Sequence, residues 1–92
     1  MGLDFEWDLD KAVANRRKHR IDFEEAATAF EDPRSLEIPD PDSTEDELRF
    51  VLLGRSDLGR LLVVVHTERG DKIRIISARP ATWRERLAYE GS

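Results

Sequence analysis

Four arginines, a glutamate and a tyrosine lie between Ile73 and Tyr89, in the stretch IRIISARPATWRERLAY. Guanidinium groups hold phosphate oxygens by paired hydrogen bonds, and carboxylate, imidazole and phenol groups can exchange protons. Cutting RNA without a metal ion needs a base for the 2′-hydroxyl proton, cations for the charge on phosphorus and an acid for the departing 5′-oxygen. The residue types in this stretch fit that reaction.

Candidates for the same chemistry lie elsewhere in the chain as well. His66 and His19 lie outside that stretch and, like Glu85 within it, could act as base or acid, while Tyr89 could donate a proton or stack on a base. The predicted catalytic residues are Arg79, Arg74, Glu85, Tyr89 and His66. The predicted RNA-binding residues are Lys18, His19, Arg49 and Lys72.

Several of these residues also have a purely structural interpretation. His66 can simply end a valine-rich strand, and the cations from Arg16 to Arg20 can stabilise a helix C-terminus. Glu85 can cap a helix, while Tyr89 can lay its ring over the core and leave its hydroxyl in water. Residue type alone does not choose between these interpretations and catalysis.

Arg74 and Arg79 are harder to explain as structural residues. Both fall in a predicted central strand beside the long apolar strand, where a guanidinium group needs a partner anion. We therefore expect guanidinium groups of the last third of the chain to meet at one pocket shaped for a sugar-phosphate chain. An arrangement in which they are splayed apart, each paired with an internal carboxylate, would count against the nuclease hypothesis as a whole.

The charge of the chain is unevenly distributed. The net charge is −5, yet residues 1–47 carry 6 basic and 15 acidic side chains while residues 48–92 carry 9 basic and 5 acidic ones. An acidic protein is a poor partner for nucleic acid, because affinity comes largely from cations that displace counterions. The second half, at +4, has the required sign. Chance asymmetry in a small domain is the alternative explanation.

Composition excludes several classes of protein. There is no cysteine and there are only 2 histidines, which excludes disulfides and thiolate sites and disfavours a zinc site, so no metal or cofactor is predicted. The longest apolar run, Leu61 to Val65, is far shorter than the roughly 20 residues of a membrane span. No basic and then apolar leader opens the chain. We expect a cytoplasmic protein that does not enter membranes.

The apolar periodicity predicts one α+β domain over residues 1–92. Asp8 is the predicted N-cap of a first helix, Asp22 with Glu25 forms a predicted capping box for a second, and Thr82 with Glu85 does so for a last one. Alternating stretches predict antiparallel strands at 36–38, 47–53, 61–67 and 72–78. Residues 5–7 are either an edge strand or a hydrophobic plug under the first helix.

The turn between the two longest strands fixes which side chains share a face. With Arg69-Gly70 as the central turn residues, His66 would lie opposite Ile73. That register would place His66, Ser77 and Arg79 on one side of the sheet and Lys72 and Arg74 on the other. Because the helices must cover one side, only part of this basic set could then form a single cleft. A bulge would change the assignment.

Three stretches resemble the BrnT family of ribonuclease toxins: FEWDLDKAVANRRKHRIDFEEAATAFEDP from Phe5, EDELRFVLLGRS from Glu45 and ERGDKIRIISARPATWRERLAYE from Glu68. The resemblance implies a RelE-like fold with two N-terminal helices, an antiparallel sheet of about four strands and a C-terminal helix. It also implies metal-independent RNA cleavage that arrests growth. The implied partner is a BrnA-like ribbon-helix-helix antitoxin, and promoter DNA is bound only by the complex of the two.

The match to the family's polar pattern covers much of the predicted site. The matching residues are Lys18, His19, Arg49, Arg74, Arg79, Glu85 and Tyr89. Around the last helix, however, the chain has Pro80, Trp83 and Leu87 where the family is richer in basic residues. Trp83 and Leu87 would pack into the core or form an apolar patch for the antitoxin.

A different class of function also fits the sequence. The basic cleft could grip an acidic segment of a partner without doing chemistry, either as a binding module or as an inactive toxin. RNA cleavage by the purified protein in the presence of EDTA separates the two hypotheses.

Overall fold

Residues 2–91 are described by a computed structural model, in which three helices pack around a five-stranded sheet. The strands are β1 (Asp4–Glu6), β2 (Leu36–Pro39), β3 (Arg49–Arg55), β4 (Leu61–Arg69) and β5 (Lys72–Pro80). The helices are α1 (Leu9–His19), α2 (Phe23–Thr28) and α3 (Trp83–Glu90), and a 3-10 turn at Ala29–Glu31 follows α2. Within the described residues, none of the helices has the length and apolarity needed to cross a membrane.

The sheet is mixed, with strand order β1-β5-β4-β3-β2. Strands β2 to β5 form the predicted antiparallel unit, whereas β1 pairs in parallel with the start of β5. The α+β class is therefore confirmed, and the prediction of a purely antiparallel sheet of about four strands is wrong. Of the two interpretations of residues 5–7, the edge strand is the right one for Phe5 and Glu6.

Strand β4 is central, and this explains why its sequence is apolar at successive positions. Leu62 and Val64 point to the inner face of the sheet, where they pack against the buried side chains of Ile21 and Phe23. Leu61 and Val63 point to the outer face, whose cluster includes Tyr89 of α3. Burial of a large apolar side chain contributes about 1.5–3 kcal/mol, so a strand covered on both faces anchors the fold.

The hairpin between β4 and β5 differs from the predicted one. Arg69 pairs with Lys72, so the turn is centred on Gly70-Asp71, where Gly70 adopts the left-handed conformation with φ 62°. His66 lies opposite Ile75, and the predicted pairing of His66 with Ile73 is wrong. The true turn lies one residue later than predicted because the glycine occupies its first central position.

A bulge in β5 then changes which side chains share a face. Val65 pairs with Ser77 while His66 pairs with Ile75, so Ile76 is an extra residue without a partner in β4. Beyond it, Arg79 pairs with Val63, and before it Arg74 pairs with Thr67. The predicted division into two sides is therefore wrong: Lys72, Arg74, Ser77 and Arg79 share the outer face, and His66 alone lies on the inner one.

The caps of the helices only partly match the sequence prediction. Asp8 accepts a hydrogen bond from the Lys11 N–H at 3.0 Å, and Thr82 with Glu85 forms a reciprocal capping box at the start of α3. Asp22 precedes α2, but its side chain makes no cap hydrogen bond, so the predicted second capping box is wrong. Glu25 instead bonds Ser56 Oγ at 2.7 Å and pairs with Arg60.

One side chain of α1 forms hydrogen bonds with the backbone at the edge of β5. Asn15, which is 6% exposed, accepts a hydrogen bond from the Ala78 N–H at 3.0 Å and donates to the Ala78 carbonyl at 2.8 Å. It also donates to the Ile21 carbonyl at 3.0 Å. The carboxamide thus satisfies the backbone groups that a neighbouring strand would otherwise pair.

Candidate nucleic-acid interface

Cations from two strands lie in a row on the outer face of the sheet. Arg49, Thr67 and Arg74 are cross-strand neighbours on β3, β4 and β5, and Lys72 lies on the same face. Arg79 stands further along β5 on that face, beyond Ser77. We call Arg74, Ser77 and Arg79 the β5 track. The bulge at Ile76 creates it, since strict alternation would place Arg74 and Arg79 on opposite faces.

The two arginines of the β5 track do not meet at one pocket. Their partners Thr67 and Val63 are four residues apart in β4, which corresponds to about 13 Å at a rise of about 3.3 Å per residue. Arg74 Nη1 lies 2.9 Å from Glu6 Oε2 of β1, and Arg79 pairs with Glu85 of α3. The expectation of a single pocket is therefore wrong, and each guanidinium already has an internal carboxylate partner.

The pair of Arg79 and Glu85 is the strongest ionic contact on this face. The two terminal nitrogens of the Arg79 guanidinium, Nη1 and Nη2, donate to Glu85, each at 2.8 Å. Glu85 also accepts from the Thr82 N–H at 2.8 Å. The hydrogen bonds from Arg79 outweigh the effect of burial and lower the pKa of Glu85 to about 2. The same contact raises the pKa of Arg79. Glu85 is therefore ionised at neutral pH and is a weak base.

A cleft opens between α1 and the bulged part of β5. Its volume is about 230 Å³, and its lining residues are Lys11, Ala14, Asn15, Lys18, His19, Ile76 and Ser77. The structure thus brings two predicted RNA-binding residues, Lys18 and His19, to the middle of the β5 track. Lys18 is exposed and His19 is half-buried, so both can contact a molecule that enters the cleft. We call this the α1/β5 cleft.

Arg49 and Lys72 lie at the other end of the outer face. Arg49 Nε is 3.4 Å from Asp40 Oδ2 of the preceding loop, and within residues 2–91 that nitrogen is buried without a hydrogen-bond partner. Lys72 is exposed at the start of β5. Both cations extend the positive row away from the α1/β5 cleft, so the predicted RNA-binding residues do not all surround a single cavity.

His66 lies on the inner face of the sheet and is 3% exposed. Its ring contacts Phe30 edge-on, with centroids 4.8 Å apart, and stacks on Phe50 at 6.0 Å. Nε2 lies 3.0 Å from Glu37 Oε1, and Nδ1 lies 3.3 Å from the Val64 carbonyl. These contacts attach the edge strand β2 to β4, and they place the imidazole on the side of the sheet opposite Arg74 and Arg79.

Tyr89 is 4% exposed, and its hydroxyl donates to Asp32 Oδ2 at 2.7 Å. This hydrogen bond and burial raise the pKa of Tyr89. Burial opposes ionisation of Asp32, but hydrogen bonds from the Arg55 N–H and Tyr89 outweigh it and lower the pKa of Asp32. The guanidinium carbons of Arg34 and Arg55 lie 5.9 and 5.5 Å from the ring centroid. Tyr89 therefore fastens α3 to the segment after α2.

Several residues of this region were missed by the sequence analysis. The α1/β5 cleft is also lined by Asn15 and Lys11. Glu6 is the ion-pair partner of Arg74, and Asp32 accepts the hydrogen bond of Tyr89. Asp32 precedes Pro33, a pattern typical of a helix end, and this local pattern gives no indication of its contact with Tyr89. Glu6 could have been found by pairing residues 5–7 with β5, which the alternation of that segment permits.

The fold is that of a solved ribonuclease toxin. The crystal structure of the Brucella abortus ribonuclease toxin BrnT matches with a TM-score of 0.68 at 20% sequence identity, covering 87% of this chain and 97% of that one. No curated protein sequence matches the chain. The family model described as "Ribonuclease toxin, BrnT, of type II toxin-antitoxin system" matches residues 7–85. The chain therefore belongs to the BrnT family of ribonuclease toxins.

Proposed function

We propose that this protein is a metal-independent endoribonuclease that cuts RNA on the outer face of β5 and thereby arrests growth. The observation that carries the proposal is the arrangement of the β5 track beside the α1/β5 cleft. Arg74 and Arg79 flank Ser77 on one face, and Lys18 and His19 reach the same strand from α1. A linear track of cations suits a single-stranded backbone, whose phosphates follow one another along the chain.

The reaction fits the groups present along this track. The 2′-oxygen attacks phosphorus while its proton passes to a base, and the bond from phosphorus to the 5′-oxygen breaks as that oxygen takes up a proton. Imidazole is the side chain best suited to proton transfer near neutral pH, and His19 lines the cleft. Arg79 and Arg74, about 13 Å apart along the strand, would contact different phosphates.

The remaining predicted catalytic residues have supporting roles in this proposal. Glu85, with its pKa at about 2, holds the guanidinium of Arg79 in place and does not act as the base. Tyr89 fixes α3, which carries Glu85, through its bond to Asp32. His66 fixes β2 through Glu37. Arg49 and Lys72 would extend phosphate contact beyond the reacting group.

Membership of a type II toxin-antitoxin family implies an antitoxin partner and an RNA substrate. We propose that the antitoxin is a ribbon-helix-helix protein, and that promoter DNA is bound only through the toxin-antitoxin complex. The acidic first half of the chain, at −9 over residues 1–47, is poorly suited to direct DNA binding. The proposed site of action is the cytoplasm, where both RNA and antitoxin are present.

Purified protein incubated with single-stranded RNA at low salt and with EDTA tests the proposal. We expect cleavage products with 2′,3′-cyclic phosphate ends, because attack by the 2′-oxygen produces them. Cleavage that disappears with EDTA and returns with Mg²⁺ would show a metal-dependent reaction and overturn the mechanism. The same assay is run on His19→Gln and Lys18→Gln. The two variants can be compared directly, since both residues line the cleft and neither is buried.

A second candidate function follows from the ion pairs. Because Arg74 and Arg79 each contact an internal carboxylate, the face is less positive than its arginines suggest, which favours a binding module or an inactive toxin. Intact RNA together with tight binding of the antitoxin would support this candidate. Cleavage that persists in EDTA and is lost in His19→Gln would exclude it.

A further inference from the structure

An apolar pair of side chains is exposed on α3. Trp83 is 70% exposed and Leu87 is 49% exposed, and their spacing of four residues places them side by side on the helix. The sequence left open whether these residues pack into the core, and the structure shows that they do not. The side of α3 that contacts the sheet instead presents Tyr89, which is buried against Leu53, Leu61 and Val63. We call Trp83 and Leu87 the α3 patch.

Two arginines flank the α3 patch in a protein whose net charge is −5. Arg84 and Arg86 lie within the same helix, and among residues 2–91 neither has a carboxylate within ion-pair distance. Of the two acidic residues in α3, Glu85 is paired with Arg79, and Glu90, three residues after Leu87, adds one exposed carboxylate at the C-terminal end of the patch.

We propose that the α3 patch is the docking surface of the antitoxin, and that the segment that binds it is amphipathic and acidic. An apolar stripe on that segment would cover Trp83 and Leu87, and flanking carboxylates would meet Arg84 and Arg86. The two flanking arginines, which make no ion pair within residues 2–91, favour an acidic partner, and the two large apolar side chains provide the central contacts that typically dominate an interface. This inference rests on the proposed neutralisation of the toxin by a protein antitoxin.

Binding at α3 also provides a route to inhibition. Glu85 lies in the same helix, on the side opposite Trp83, and holds Arg79 by two hydrogen bonds of 2.8 Å. A partner that covers the α3 patch would reach the end of the β5 track by extending around the helix. Carboxylates brought by the partner would compete with phosphate for Arg79. A partner that extends around α3 in this way would combine docking and neutralisation in one event.

RNA is the other class of molecule that an exposed tryptophan among arginines can bind, by stacking a base on the indole. Leu87 favours the protein, because a half-exposed aliphatic side chain beside the indole gains nothing from a base but is buried by an apolar stripe. The two occupants make different demands on single variants. Stacking requires only Trp83, whereas protein docking requires both residues.

The test measures the affinity of the purified toxin for the product of the reading frame adjacent to its gene. We expect Trp83→Ala and Leu87→Ala each to weaken binding at least about tenfold, the loss typical of central interface residues. Arg84→Glu should also weaken partner binding, and by a larger factor at low salt than at high salt, because the introduced charge repels an acidic partner. The control is the pair Leu9→Ala and Val13→Ala, which removes an equally exposed apolar pair, 76% and 53% exposed, from α1.

RNA cleavage is measured on the same variants, so failure of the docking proposal is distinguishable from failure of the nuclease proposal. Leu87→Ala should cleave RNA within about twofold of the wild-type rate while escaping inhibition by the partner, since a central interface residue is not a reacting group. Unchanged affinity in the α3 variants, loss confined to the α1 control, or no binding by the wild type would each overturn the docking surface. Loss of RNA affinity in Trp83→Ala alone, with partner binding intact, would assign the patch to RNA.

Discussion

Arg79 and Glu85 form a two-point ion pair, with both donor-acceptor distances at 2.8 Å, that ties the end of β5 to the first turn of α3. The same carboxylate completes the capping box of α3 through the Thr82 N–H. One side chain therefore sets the start of a helix and the orientation of a cation on the outer face. The arrangement joins the proposed RNA track to the proposed docking helix.

Arg79→Ala should remove most of the RNA cleavage and relieve growth arrest. A preorganised cation that stabilises developing charge is typically worth about 10²-fold or more in rate. Because Arg79 is partly exposed, we expect the free energy of unfolding to change by only about 1 kcal/mol or less. Cleavage rate and urea denaturation are the measurements, with the exposed Arg17→Ala as a control. A variant that remains fully toxic would show that the site is elsewhere.

Glu85 should make stability depend on pH below the neutral range. Its pKa falls from 4.5 to about 2 on folding, so its contribution is complete above about pH 4.5 and is lost as pH falls towards 2. Since the carboxylate is partly exposed, we expect a loss on the order of 1 kcal/mol. Urea denaturation of wild type and Glu85→Gln at pH 7 and pH 3 measures it, because glutamine keeps the cap and removes the titration. An equal pH dependence in both proteins would contradict this assignment.

The capping boxes show how far local pattern predicts tertiary structure. Thr82 with Glu85 and Asp22 with Glu25 have the same spacing, yet only the first pair forms the box. Glu25 is 7% exposed and accepts hydrogen bonds from Arg60 and Ser56, which lie in the β3–β4 turn more than thirty residues later. A capping motif is a local prediction, and a buried partner distant in sequence overrides it.

The register of β4 and β5 shows the opposite limitation. The alternation of apolar and polar residues predicted the strands and their neighbours, but nothing in the sequence of β5 indicates that Ile76 is the extra residue of a bulge. A shift of one residue moves every following side chain to the other face. Prediction of the fold class therefore succeeded while the grouping of Arg74, Arg79 and His66 failed, because the site depends on a bulge and the fold class does not.

Asn15 should be among the most sensitive positions of the fold. Asn15→Ala would leave the Ala78 N–H and carbonyl and the Ile21 carbonyl without their partner, and each unsatisfied buried group costs about 1–3 kcal/mol. Asn15→Asp is isosteric but sets a carboxylate against two carbonyl oxygens, so we expect it to destabilise at least as much. Thermal denaturation measures both, and exposed Ala14→Ser is the control. A tolerated aspartate would contradict the hydrogen-bond assignment.

The two histidines should separate catalysis from stability. His19→Gln should lower the rate of RNA cleavage about 10²-fold, the typical effect of removing a proton-transfer group, with little change in unfolding. His66→Gln should lower stability, since His66 is buried between two aromatic rings and bonded to Glu37, and should leave the cleavage rate per folded molecule unchanged. Single-turnover cleavage and urea denaturation on both variants make the comparison. A large loss of cleavage rate in His66→Gln, with only a loss of stability in His19→Gln, would instead identify His66 as a catalytic residue.

Tyr89→Phe tests whether the tyrosine acts by position or by proton transfer. The substitution removes the hydroxyl that bonds Asp32 and leaves that carboxylate its backbone partners at Arg34 and Arg55, so we expect a loss of about 1–2 kcal/mol in stability. Because Tyr89 helps to lower the pKa of Asp32, the variant should also lose less stability than wild type as pH falls through the acidic range. Cleavage by the folded variant should stay within about twofold of wild type, since the hydroxyl is buried on Asp32 and not on the track. A hundredfold loss of rate with normal stability would instead identify Tyr89 as the proton donor.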